Sequence, residues 1–173
     1  MKQNFNMPFT ESGITLHFPD SNYFCFENCE GYQRLSGSFF KEMDAGWFDI
    51  ENNTVYLIEL KDFTNAVLKA DNIESRVWGL VKKSVDSCAM LASVLIGTDV
   101  GKNILACLPQ HVFNFKQVKL IHIINVNDNQ KADIQFIRDS FDAKFKSYKH
   151  LFGLKGCSVL TYEQAKKHLS FVE

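Results

Sequence analysis

Between Thr54 and Lys61 apolar side chains fill both alternating sets. Val55 and Leu57 fall on one face, and Tyr56, Ile58 and Leu60 on the other, as expected of a strand buried in the middle of a sheet. Upstream, Ala45–Ile50 and Ser38–Met43 read as extended. Ile14–Phe18 and Tyr23–Phe26 alternate in strand fashion around the turn residues Pro19-Asp20-Ser21-Asn22. Cys29–Gly37 fits either a loop or one or two helical turns.

Downstream the period changes. Ile73, Val77, Leu80, Val81, Cys88, Leu91, Ala92 and Leu95 recur at helical spacing, with Asp71 and Glu74 as a capping box and Gly97 as the stop. Val118–Val126 is apolar on both faces and predicts a strand covered by helices. Asn129 to about Leu151 predicts a helix whose stripe is Ile134, Ile137, Phe141, Phe145 and Tyr148. A strand, Cys157–Leu160, and a helix, Tyr162–Leu169, follow. Strands first, then alternating helices and strands, predict an α/β (α+β) mixed central β-sheet flanked by helices. One domain over residues 1–173 suffices, since no repeat, linker or low-complexity tract interrupts the chain.

The strand ends on an oddity. Its last turn carries a carboxylate and an ammonium, Glu59 and Lys61, on the face that begins with Val55 and Leu57. Buried charge is costly unless it has partners or faces a cleft. Glu51-Asn52-Asn53-Thr54 is turn chemistry, because Asn tolerates positive φ. A two-residue loop at Asn52-Asn53 sets Asp44 opposite Lys61 and Gly46 opposite Glu59, so that Asp44 and Glu59 are diagonal neighbours. Gly46 would then leave room for a hard cation between the carboxylates. A four-residue loop keeps that parity. A three-residue loop swaps the faces and brings Asp49 in place of Asp44.

Asp44, then fifteen positions later Glu59-Leu60-Lys61, across a hairpin and followed by a helix and a buried strand, resembles the PD-(D/E)xK nuclease superfamily. That is the restriction-endonuclease-like fold, with the likeness centred on residues 38–126. The resemblance implies a divalent-metal-dependent nuclease, with DNA as the expected substrate. It further implies Asp44, Glu59 and Lys61 as catalytic residues, and Mg²⁺ or Mn²⁺ held by Asp44, Glu59 and the Leu60 backbone carbonyl. Such oxygen ligands suit Mg²⁺. Double-strand cutters of this fold often pair, so a homodimer is open. The family's opening helix, which can offer another acid, is not evident here; Glu27 or Glu30 would have to supply it. Pro19-Asp20 lies too far from Glu59 to be the family's Pro-Asp. The alternative is a non-catalytic nuclease-like module that binds nucleic acid or protein. A third reading is an unrelated α/β domain with a surface salt bridge.

Charge adds a little. Net charge is −1, yet residues 1–75 carry −7 and residues 76–173 carry +6, which permits a metal site beside a phosphate-binding wall without requiring one. Arg76, Lys82 and Lys83, on the helix after the hairpin, are the candidate nucleic-acid contacts, with a solvated face as the ordinary alternative. Trp47 and Trp78 read as core, and His122 as a hydrogen-bonded core residue. Five cysteines at irregular spacing predict free thiols in a reducing, cytoplasmic setting, and Cys25 and Cys29 lack the second pair that zinc needs. No membrane-length apolar run and no signal-peptide pattern is expected of this chain.

Overall fold

The computed structural model describes residues 8–66, 68, 70–109 and 115–173. The elements follow in order. A small hairpin pairs β1 (Phe9–Glu11) with β2 (Ile14–Leu16). Then come β3 (Tyr23–Phe24), α1 (Glu30–Ser36), β4 (Ala45–Asp49), β5 (Thr54–Asp62) and the long helix α2 (Ala70–Ile96). The chain continues with α3 (Asp99–Leu105), β6 (Gln117–Asn125), α4 (Lys131–Leu151), β7 (Gly156–Thr161) and α5 (Tyr162–His168). Five strands form one mixed sheet in the order β3-β4-β5-β6-β7. The pairs β3-β4 and β4-β5 are antiparallel; β5-β6 and β6-β7 are parallel, each joined through a helical crossover.

The sheet separates two cores. Val55, Leu57, Leu120 and Ile124 face α2 and α4, where Val77, Leu80, Leu91, Ile137, Phe141 and Phe145 close the layer. Ala45, Trp47, Ile58, Leu60, Ile121 and Ile123 face the other way, against Ile14 and Leu16 of the small hairpin, Ala165 of α5 and Phe171. Both faces of β5 are therefore dry, as its continuous apolar run predicts. Among the described residues no single helix is long and apolar enough to cross a membrane.

Helix ends follow local chemistry. Gly97 takes φ +76° and, with Thr98, returns its N–H to Ser93, so α2 stops where its glycine predicts. The proposed cap at Asp71 involves a side chain outside the described residues, and Glu74 instead takes Lys144 at 2.7 Å. Thr161 caps α5: its hydroxyl accepts from Gln164 N at 3.1 Å, and Gln164 Oε1 accepts from Thr161 N at 3.0 Å. Thr161→Ala should cost about 1 kcal/mol, read as a lower urea midpoint at unchanged slope.

Several expectations need correction. Ser38–Met43 forms no strand; the N–H groups of Lys41 and Met43 are held by Asp86 and Ser87 of α2 instead of by a sheet. Of the two early strands, Ile14–Leu16 pairs with Phe9–Glu11, a strand not among those expected from the sequence, and Tyr23–Phe24 joins the main sheet at Trp47 and Gly46. Within Cys29–Gly37, which by sequence fits loop or helical turns, Glu30–Ser36 is helix α1. The cysteines are not all free: Cys29 and Cys107 form a disulfide tying the start of α1 to the end of α3. Cys25, Cys88 and Cys157 are free thiols, each pushed up to about 12 chiefly by burial, which leaves them protonated and unreactive at neutral pH. Trp47 is core, but Trp78 is 49% exposed on the outer flank of α2, where Lys144 lies over its ring and Glu74 accepts from its Nε1.

Candidate active site

The hairpin loop between β4 and β5 is Ile50–Asn53, four residues long, with Asn53 at φ +48°. It keeps the expected parity and shifts the register by two. The ladder runs from Asp49↔Thr54 to Ala45↔Ile58, so the next step sets Asp44 beside Glu59 rather than diagonal to it. Gly46 lies opposite Leu57, not Glu59. The space beside it is filled by the Phe24 ring, with which any Cβ would collide, so Gly46 makes room for packing and not for a cation. Asp49 points away, its carboxylate accepting from Asn52 N and Nδ2 at 3.0 and 2.7 Å and so closing the turn.

The segment entering the site is pinned by α2. Lys41 N donates to Asp86 Oδ2 and Met43 N to Ser87 Oγ, each at 2.9 Å. One residue later, Asp44 Oδ2 accepts from Leu60 N at 2.7 Å. These bonds fix the Asp44 carboxylate over the end of β5 and leave its Oδ1 turned towards Glu59's neighbour, Lys83. The Leu60 carbonyl meets the Ser12 hydroxyl at 3.3 Å.

Glu59 is wholly buried. Its Oε1 lies 2.6 Å from Lys61 Nζ and 2.8 Å from Lys83 Nζ, with Lys83 also 3.0 Å from Oε2 and 3.0 Å from Asp44 Oδ1. The Oε1 contacts neutralise charge without the direction of a hydrogen bond. Burial, and then the Asp44 carboxylate, push the Glu59 carboxyl up to about 7 against the pull of both ammoniums. Burial pulls the Lys83 ammonium down, but Glu59 and Asp44 outweigh it and hold Lys83 above its ordinary value. Lys83 is therefore a permanent cation between two carboxylates.

His122, opposite Glu59 on β6, is also wholly buried. Ser84 Oγ donates to Leu80 O at 2.9 Å, so the 3.1 Å contact with His122 Nε2 is a ring N–H donating to the hydroxyl. That assigns the neutral Nε2–H tautomer and leaves Nδ1 without a partner. Burial, then the charges of Lys83 and Lys61, push His122 down to about 3. The core reading of His122 holds.

The structure thus brings Asp44, Glu59 and Lys61 together and adds Lys83 to them. Lys82 turns aside to Asp86 at 2.7 Å, and Arg76 lays its guanidinium 4.6 Å above the Phe63 ring. Lys83 is the member that sequence left among surface candidates. Ser84 and Ser87, both fully buried, continue the α2 stripe and would have set Lys83 at its edge. Beyond Asp44, a cleft of about 290 Å³ is lined by Glu11, Glu27 and Glu42. Glu30 sits outside it, paired with Arg34. Comparison with family models, with curated proteins and with solved structures finds no match for this chain.

Proposed function

We propose that this chain is a divalent-metal-dependent nuclease that hydrolyses phosphodiester bonds, with DNA as substrate. The observation that carries the reading is the convergence of Asp44, Glu59 and Lys61 at one end of a buried central strand, in the order and spacing of PD-(D/E)xK nucleases. The antiparallel run β3-β4-β5, followed by crossover through α2 to parallel β6, supports it, as that family's core is expected to run this way.

The donor set suits a hard cation. Asp44 Oδ1 and Glu59 converge on one point, and that point already holds a cation, the Lys83 ammonium. Among the described residues no cluster of three His, Cys, Asp or Glu could hold a metal by itself. Mg²⁺ or Mn²⁺ would take Asp44 and Glu59, with the Leu60 carbonyl as the third protein ligand inferred from the family. Mg²⁺ ordinarily keeps several waters and shares its shell with substrate phosphate. When bound, such an ion supplies Lewis acidity to a phosphate oxygen and a water of lowered pKa. Lys61, a third exposed, orients the attacking water and offsets charge on the phosphorane-like transition state. An ion at the shared point would need Lys83 to leave it, which the flexible four-carbon stem permits, and the freed ammonium would be available to a phosphate.

A second reading has its own observation. Two ammoniums against two carboxylates make a closed, neutral set, which suits a nuclease-like module that binds nucleic acid or protein without cutting. Plasmid and single-stranded DNA incubated with Mg²⁺ or Mn²⁺ separate the two. The nuclease reading expects cutting by the wild type that chelation stops and Glu59→Ala abolishes. Absence of cutting in the wild type, with DNA or protein still bound, favours the module and overturns the enzyme.

A further inference from the structure

A pocket of about 340 Å³ lies between the end of β5 and α2, lined in part by Lys61 and Lys83 of the carboxylate cluster. Its lining is mostly apolar; Phe63 and Leu80 back it and are themselves almost fully buried. Lys41, Lys82 and Arg76 border it with the site lysines Lys61 and Lys83, and no carboxylate among the described residues lines it. Three of those cations are balanced from outside the rim: Lys82 by Asp86, and Lys61 and Lys83 by Glu59. Lys41 and Arg76 meet no carboxylate at ion-pair distance among the described residues, and the buried Arg76 Nε has no hydrogen-bond partner. Two cations without a carboxylate partner among the described residues thus border a mostly apolar lining.

We infer that this pocket takes one unstacked nucleotide, base and phosphate together, and so selects single-stranded or frayed nucleic acid. This rests on the nuclease reading for its biological sense but not for its chemistry. Arg76 already stacks on Phe63, and its outer face is a plane on which a base can stack. The phosphate then meets Lys41 and the lysine rim, which places the next phosphodiester towards Asp44 and Glu59. A stacked duplex cannot lay a base face on that plane without first unstacking the base, at a cost of a few kcal/mol. An inorganic anion would leave the mostly apolar lining uncovered, and a nucleoside without phosphate would leave Lys41 and Arg76 unanswered.

Gly79 provides a clean test. It lies in the middle of α2, lines the pocket, and a Cβ there meets nothing within 4 Å. Gly79→Leu should fill the pocket while raising the melting temperature, because glycine is a poor interior helix residue. Binding is measured in EDTA, where metal-dependent cutting is off, with adenosine monophosphate, adenosine, inorganic phosphate, and single- and double-stranded oligonucleotides as probes. The nucleotide should bind at least tenfold tighter than adenosine or phosphate, and single strand tenfold tighter than duplex. Gly79→Leu should lose at least tenfold for the nucleotide, and so should Arg76→Met, which keeps the stem on Phe63. Equal binding of phosphate and nucleotide, or a Gly79→Leu variant that is folded and binds as the wild type, overturns the inference. Cutting that survives Gly79→Leu unchanged sinks the pocket and spares the nuclease; nucleotide binding by a protein that never cuts does the reverse.

Discussion

Lys83→Met should destabilise the fold by about 3–5 kcal/mol at pH 8, the usual result of breaking a buried ion pair by removing one partner. Two observations set the size. Glu59 is wholly buried and Lys83 is 19% exposed, so water cannot replace the lost ammonium. Moreover, among the described residues Lys83 is the one cation touching both Asp44 and Glu59, and its loss leaves two carboxylates side by side with Lys61 alone on Glu59. The cost should shrink at pH 5, where Glu59, titrating at about 7, accepts a proton and ceases to need a counter-charge. Adding Glu59→Gln to Lys83→Met should restore most of the loss at pH 8, since removing both partners of a buried pair is far cheaper than removing one. Chemical denaturation of the four proteins of this cycle at both pH values reads the result. A loss under 1 kcal/mol at pH 8, with no pH dependence, would show that the lysine is only a surface contact.

The second large effect is a cancellation that mutation uncovers. Glu59 is raised from 4.5 to about 7 on folding, so between those values the native state holds a proton that the unfolded chain lacks. Its contribution is fully present below pH 4.5 and is lost as pH rises through 7. His122 runs the other way: lowered from 6.5 to about 3, it leaves the unfolded chain holding the extra proton, and its contribution is lost as pH falls below 6.5. Each group imposes a slope of about 1.4 kcal/mol per pH unit with opposite sign. Across pH 4.5–6.5 the two slopes offset each other. Glu59→Gln should therefore make stability fall with acidification over that window, relative to the wild type, and His122→Gln should make it rise. Either difference reaches about 2–3 kcal/mol across the two units. The other shifted carboxylates, such as Glu74 and Asp128, are common to all three proteins and drop out of the difference. Two parallel profiles would mean that neither group changes its protonation on folding.

The parts of this molecule legible in the sequence are those where one strong period decides. The two-faced apolar run of β5, the helical stripes of α2 and α4, and the glycine stop at Gly97 each commit the backbone through burial alone. Parity is equally robust: any even loop puts Asp44 on the side of Glu59, and the four-residue loop does so although the pairing itself moved by two. What stayed hidden depends on contacts between distant segments. β1 has three residues, too few for alternation to register; it pairs with β2, which alternation did announce, and the hairpin is held by packing on the second core. Helix α3 is seven residues long and rests on its Thr98 cap and on Gly101, whose missing Cβ permits backbone contact with Ser93. The Cys29–Cys107 bond spans 78 positions, a separation no local spacing rule could announce. Lys83 is the most instructive case. Lys82 and Lys83 are chemically identical neighbours, and a helix turns about 100° between them. One reaches Asp86 on the flank and the other the centre of the charge cluster, a choice made by rotation about the axis and not by composition.

The turn at Ile50–Asn53 carries a rule for how this chain can vary. A strand's side chains flip with every residue, so adding or removing one residue there would carry Asp44 to the Trp47 side of the sheet and bring Asp49 around in its stead. Related chains that keep the carboxylate pair should therefore differ at this corner by none or by two, while the odd lengths go with loss of the pair. The hairpin tip, exposed and remote from the chemistry, thus counts residues on behalf of the site.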